Sequence, residues 1–422
     1  MEGVGGMGLV ALRSFNHLSG EGAMKKNAGS SGTNGQGRRA LTCCALIALF
    51  FLTFTVSIVN AFEIYKDERW SVRWDNTLKY SAGVRLAEQD DELIDDINTD
   101  DGDRNFNQGD LMSNRLDVLS EIDVAYKNFG FRASAAAWVD TVYHYDNAND
   151  SRATFNGTGP NDEFDDETRE LSGGTAELLD AFIWGRGDLG SMPASFRLGR
   201  HTLLWGEALF FATNGIMYGQ APIDVIKALG VPATQAKELF MPVGQLSWQI
   251  QPTTDLSIAG FLDFEWRRSR IPPAGSYFSD VDIIDAGGER LLLGPNPPGG
   301  LGPAFWRGDD LGGGPSTGGF GEANFGQGGL SARLHVDKLD SDLGLYWYRF
   351  NEKSPQLYLF PGRNADPAIG KVGEYAEVFP EGIHMLGGSI GTQVGPVNVS
   401  GEMSARIDTP LVSTPCPFGR GA

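Results

Sequence analysis

Residues 69–86 alternate with a period of two. The even positions carry Trp70, Val72, Trp74, Leu78, Tyr80, Ala82, Val84 and Leu86, interrupted by Asn76; the odd positions carry Arg69, Ser71, Arg73, Asp75, Thr77, Lys79, Ser81, Gly83 and Arg85. Successive side chains of a strand point to opposite faces, so this pattern predicts a strand with one apolar and one polar face. It exceeds the roughly 5–6 residues of an ordinary strand. It satisfies the roughly 9–11 residues a strand needs to cross a bilayer, where the apolar face meets lipid.

The pattern recurs. Leu116, Val118, Ile122, Val124 and Tyr126 alternate with Arg115, Asp117, Glu121, Asp123 and Lys127, and Phe129, Phe131, Ala133, Ala135, Ala137 and Val139 share one face of the next strand. Weaker strands are expected near 177–187, near 194–203 and around Trp248 and Ile250. Leu256, Ile258, Leu262, Phe264 and Trp266 face Ser257, Asp263, Glu265 and Arg267; Leu330, Ala332, Leu334 and Val336 face Ser331, Arg333, His335 and Asp337. The last three strands fall near 342–350, 383–394 and 396–407.

A water-soluble sandwich also alternates, so the connections decide. Those at 87–111, 145–176, 204–243, 268–326 and 351–382 are long, and those at 127–130, 188–193, 252–255, 338–341 and 394–396 are short. Short periplasmic turns and long extracellular loops are the signature of outer-membrane barrels. The expected fold class is all-β: an antiparallel transmembrane β-barrel with a short helical insertion in one loop. The count reaches eleven strands, whereas single-chain bacterial barrels carry an even number. Pro410, Pro415 and Pro417 argue against a returning strand in the tail. The odd count therefore predicts a chain that stops short of closure.

Ahead of the barrel, Arg38 and Arg39 precede an apolar run over 40–59 that ends Val59-Asn60-Ala61. A basic region, an apolar region and a small-residue site, in that order, make an export signal. Cleavage is expected after Ala61, and an uncleaved anchor helix is the alternative. Met24-Lys25-Lys26 would serve as a start. The chain then divides into a signal and upstream extension (1–61), an outer-membrane barrel (62–410) and an irregular tail (411–422).

Composition agrees with a barrel that is wet inside. Gly numbers 57, aromatics reach 11 % and apolar residues 41 %. The net charge of −20 makes nucleic acid an unsuitable partner, because phosphate contacts need clustered Lys and Arg. Two of the three cysteines, Cys43 and Cys44, lie in the apolar run, so the exported part cannot form an internal disulfide.

No catalytic machinery is legible, and the chain is not expected to be an enzyme or to hold a resident cofactor. Gly314-Pro315-Ser316-Thr317-Gly318 has the spacing of a serine-hydrolase elbow, but lacks the strand before it and the helix after it. Residues 96–107 resemble a calcium loop in which Gly102 arrives one place late and Asn107 replaces the closing Glu. Its carboxylates Asp96, Asp100, Asp101 and Asp103 suit loosely held calcium or a solvated loop. Residues 204–243 contain two short amphipathic helices, at 222–229 and 233–240, whose apolar side chains need cover. That loop is expected to fold into the lumen. Arg200, Glu207, Asp224, Lys227, Lys237 and Glu238 would then line a constriction that selects by charge and size.

The run Phe196-Arg197-Leu198-Gly199-Arg200 through Trp205-Gly206-Glu207-Ala208-Leu209-Phe210-Phe211 resembles the DUF1302 family of proteobacterial proteins. Further matches are Pro222-Ile223-Asp224-Val225, residues 237–243, Phe264-Glu265-Trp266, Gly275-Ser276-Tyr277-Phe278-Ser279 and Gly401-Glu402-Met403-Ser404. The resemblance spans roughly 62–410. It implies an outer-membrane location and small hydrophobic or amphipathic molecules as cargo. It also implies envelope efflux-type transporter components as partners, and a longer chain with further C-terminal strands. Two functions follow as expectations: a channel for such molecules, or a non-conducting accessory barrel beside an efflux transporter. An outer-membrane hydrolase ranks last.

Overall fold

The computed structural model describes residues 56–208, 214–312 and 326–410. The apolar segment up to residue 55, the 314–318 motif and the tail beyond 410 lie outside the described residues. Seventeen strands are described: β1 (Val56–Lys66), β2 (Trp70–Val84), β3 (Leu111–Tyr126), β4 (Phe129–Asp140), β5 (Gly174–Leu189), β6 (Met192–His201), β7 (Val243–Ile250), β8 (Leu256–Asp263), β9 (Arg290–Leu292), β10 (Ala304–Arg307), β11 (Leu311–Gly312), β12 (Gly328–Val336), β13 (Ser341–Phe350), β14 (Gln356–Asp366), β15 (Lys371–Phe379), β16 (Ile383–Val394) and β17 (Val397–Ile407). Twelve of them form one antiparallel meander in the order β1-β2-β3-β4-β5-β6-β7-β8-β12-β13-β16-β17. No helix among the described residues is long and apolar enough to cross a membrane.

The expected count of eleven is one short. The twelfth strand is β1, whose backbone pairs with β2 from Val56↔Tyr80 to Lys66↔Ser71. It was hidden because its first residues belong to the apolar run, where no alternation marks a strand; the expected cleavage point after Ala61 falls inside it. The turn into β2 is tight: Asp67 accepts the N–H groups of Arg69 (2.7 Å) and Trp70 (2.6 Å). The edges of the sheet are β1 and β17.

The two faces of this sheet are inverted relative to a water-soluble one. Trp74, Leu78, Tyr80, Leu116, Val118, Phe131, Ile183, Leu198, Leu330, Leu345, Trp347, Leu386 and Met403 are exposed. From the same sheet Thr77, Lys79, Ser81, Arg115, Glu121, Ser134, His201, Gln245, Ser247 and Ser331 are buried. Alternation along each strand puts these two sets on opposite sides.

The connections keep the expected rhythm, with short turns at one end of the sheet and long loops at the other. The loops 264–327 and 351–382 contain a second, five-stranded sheet in which β15 pairs parallel with β10 and β11 and antiparallel with β14, and β10 pairs antiparallel with β9. Period-two reading missed β15 because both its faces are covered, from Gly373 to Glu377 without interruption, and such strands do not alternate. Ile283, Phe305 and Tyr375 form the core of this loop domain. A second cluster, Phe106, Tyr143 and Phe164 with Tyr277, ties three long loops together.

One outward assignment is corrected. Phe264 and Trp266 were expected to continue the lipid face of β8, but the strand ends at Asp263. The N–H groups of Phe264 and Glu265 both donate to the Gly244 carbonyl (3.0 and 3.1 Å), which breaks the ladder. Trp266 turns into the loop core, its ring 5.0 Å from that of Phe379, and its Nε1 donates to the Glu352 carbonyl (3.2 Å).

Candidate functional site

The described parts of the loop after β6, 202–208 and 214–242, lie against the polar face of the large sheet. It is fixed first by packing. The Trp205 ring meets those of Phe261, Tyr346 and Tyr348 at 5.1, 6.1 and 6.4 Å. Ile216 is fully buried and sits over Gly387 of β16, where a Cβ would lie 2.6 Å from its Cγ1. Gly387 thus leaves the hole that Ile216 fills. The Tyr348 hydroxyl donates to the Ile216 carbonyl (2.6 Å).

Ionic contacts hold the rest. Glu402 on β17 accepts the backbone N–H groups of Glu207 (2.6 Å), Ala208 (3.2 Å) and Ile216 (2.8 Å). Two residues on, the Ser404 hydroxyl donates to the Asn214 carbonyl (3.1 Å), and Arg406 stacks over Tyr218 at 3.9 Å. At the other end of the sheet, Glu238 pairs with Lys79 of β2 (3.4 Å) and Lys237 with Glu121 of β3 (2.5 Å). One loop therefore reaches inward-facing residues near both edges.

Each residue expected at the constriction has an ionic partner. Arg200 donates to Glu265 (3.1 Å), and Glu207 lies 3.5 Å from Arg333. Asp224 meets Arg270 at 2.6 Å, and Lys227 meets Glu177 at 3.3 Å. The helices are shorter than expected, Val225–Gly230 and Ala236–Leu239. Asp224 is the cap of the first, accepting the Lys227 N–H (3.0 Å). It provides a side-chain acceptor that Pro222, expected in the first turn, cannot.

Several functional neighbours escaped the sequence reading. Glu177 joins Lys227, Arg267 and Arg270. Arg132 joins Glu121, Asp123 and Asp180. Trp138 lies beneath Arg115, Lys227 and Arg270 at 4.9, 4.9 and 5.5 Å, a threefold cation–π contact. Charged residues at inward strand positions were the signal that would have found Arg132 and Glu177; Arg267 and Arg270 lie beyond the end of β8.

The four loop aspartates are spread apart. Asp96 accepts the Asn98 N–H (3.0 Å), Asp100 pairs with Arg104, and Asp103 pairs with Arg85 (2.6 Å). Asp101 turns inward to Asn149 and Asn156. No group of three His, Cys, Asp or Glu side chains is placed to hold a metal among the described residues.

No curated protein and no solved structure matches the chain. One family model, described as protein of unknown function (DUF1302), matches residues 42–417, and the chain belongs to that family.

Proposed function

We propose that this chain is an outer-membrane β-barrel whose lumen is constricted by the loop 202–242 and passes small amphipathic molecules. The observation that carries the reading is the inversion of the sheet: large apolar side chains outside, buried Lys79, Arg115 and Glu121 inside. Water would penalise that outer face and lipid rewards it. Lipid offers nothing to the free backbone groups of an edge strand. The reading therefore requires the β1 and β17 edges to be paired in the membrane. Paired acids and bases line the inner face, which favours amphipathic over wholly apolar cargo. The hydrophobic element of the cargo rests on the family resemblance alone.

A second reading, a non-conducting accessory barrel beside an envelope efflux transporter, draws support from the apolar cluster of Trp205, Ile216, Phe261, Tyr346, Tyr348, Phe350, Ile383 and Met385, which fills part of the interior. Planar-bilayer recording on the reconstituted protein separates the two. A channel gives discrete conductance steps, enlarged in Glu402→Ala because three loop N–H groups lose their acceptor. Silence from protein shown to be folded and inserted supports the accessory barrel. Folding as a monomer in water without detergent would sink both.

A further inference from the structure

Three long loops meet at a cavity of about 220 Å³. Asp101 and Asn105 come from the loop after β2, Asn156 from the loop after β4, and Asp282 from the loop after β8. All four line the cavity and all are more than nine-tenths buried. Its wall adds Glu163, Asp165, Asp166 and Glu289 against a single cation, Arg169.

The hydrogen bonds inside this cluster leave acceptors over. The Asp101 N–H donates to Asp282 Oδ2 (3.0 Å), while Asp101 accepts from Asn149 Nδ2 (2.9 Å) and the Asn156 N–H (3.1 Å). Asp282 Oδ1, Asn105 Oδ1 and Asn156 Oδ1 have no partner. The amide orientations are fixed, because Asn105 Nδ2 donates to the Gly275 carbonyl (2.8 Å) and Asn156 Nδ2 to the Arg290 carbonyl (2.8 Å). Flipping either would set oxygen against oxygen.

Buried acceptors almost always find a donor or a cation. Burial first, then the charges of Asp282 and Asp100, push the Asp101 carboxyl well above its ordinary range. Burial, with Asp100 beside it, pushes Asp282 up to about 7. The donor set is oxygen only, carboxylate mixed with amide. That suits calcium, which takes about 6–8 oxygens in adaptable geometry, better than magnesium, which demands a near-ideal octahedron.

We propose that a calcium ion binds between Asp101, Asp282, Asn105 and Asn156 and clamps the three loops together, with water completing its shell. Since only two carboxylates belong to the donor set, the expected affinity is that of extracellular calcium modules, about 10⁻⁴–10⁻³ M.

The test uses the whole protein, stripped with chelator and titrated with calcium chloride. Calorimetry measures binding, and thermal unfolding and proteolysis of the 141–173 loop measure the clamp. The wild type should bind in that range, melt higher and resist cleavage. Asp282→Asn should bind at least about tenfold more weakly. Relieved of a buried charge, it should fold without calcium at least as well as wild type. No wild-type response at about 10 mM calcium overturns the proposal. So does an equal response in Asp282→Asn, or an equal response to magnesium. If Asp282→Asn does not fold, wild-type calorimetry with calcium against magnesium decides.

Discussion

Leu345 lies at the middle of β13 and is 68 % exposed. Across the register it faces Ala332 and Gly388, and the flanking rows on the same face are apolar: Leu343 beside Leu334 and Ile390, and Trp347 beside Leu330 and Leu386. Leu345→Arg sets a charge at the centre of that surface. On a water-exposed sheet such a change stays within about 0.5 kcal/mol. At the midplane of a bilayer it costs about 2–4 kcal/mol, or about 30- to 700-fold in the folding equilibrium. Leu339, in the short turn before β13 and 63 % exposed, provides the depth control. Near the interface the same change costs only about 0–1 kcal/mol. Urea titration of folding into lipid vesicles, followed by tryptophan fluorescence, measures both variants. Equal midpoints for wild type, Leu345→Arg and Leu339→Arg would refute the lipid-facing assignment.

Two further outcomes are expected. Trp205→Ala should cost about 3–5 kcal/mol in the same titration, because its ring fills the space among Phe261, Tyr346 and Tyr348; a loss below about 1 kcal/mol would mean that the loop is not packed on the sheet. In chelator, the contribution of Asp282 to loop-domain stability should be full below the ordinary carboxyl value of 3.8 and be lost as pH rises towards about 7. The folded state holds Asp282 protonated where the unfolded chain has already released its proton, so ionisation works against folding. Melting temperatures at pH 5 and pH 8 check the sign, and higher stability at pH 8 would contradict it.

Much of the large sheet was legible because each strand carries its environment in its alternation. Trp70 to Val84 reads as two faces without any tertiary information. β1 did not, because uniform apolarity before Phe62 gives helix and strand the same appearance. The loop domain did not, because β15 is covered on both sides. At the candidate site, Lys227 and Lys237 were identifiable from the amphipathic loop, whereas Glu402 and Glu177 were not. Their importance comes from what lies opposite, at sequence separations of 195 and 50 residues in the Glu207–Glu402 and Glu177–Lys227 contacts. The acidic loop 96–103 was legible only in part, because Asp101 finds its acidic partner 181 residues away in Asp282.

The span of the inner loop has a kinetic meaning. Glu402 holds Glu207 and Ile216 from 195 and 186 residues away, and Lys79 meets Glu238 from 159. Contacts of such separation close large loops of chain and form late. β17 is the last strand of the meander, so the loop cannot be anchored at Glu402 until that strand is in place. On the proposed barrel reading, the interior reaches its final width only once β17 is paired and Glu402 holds the loop.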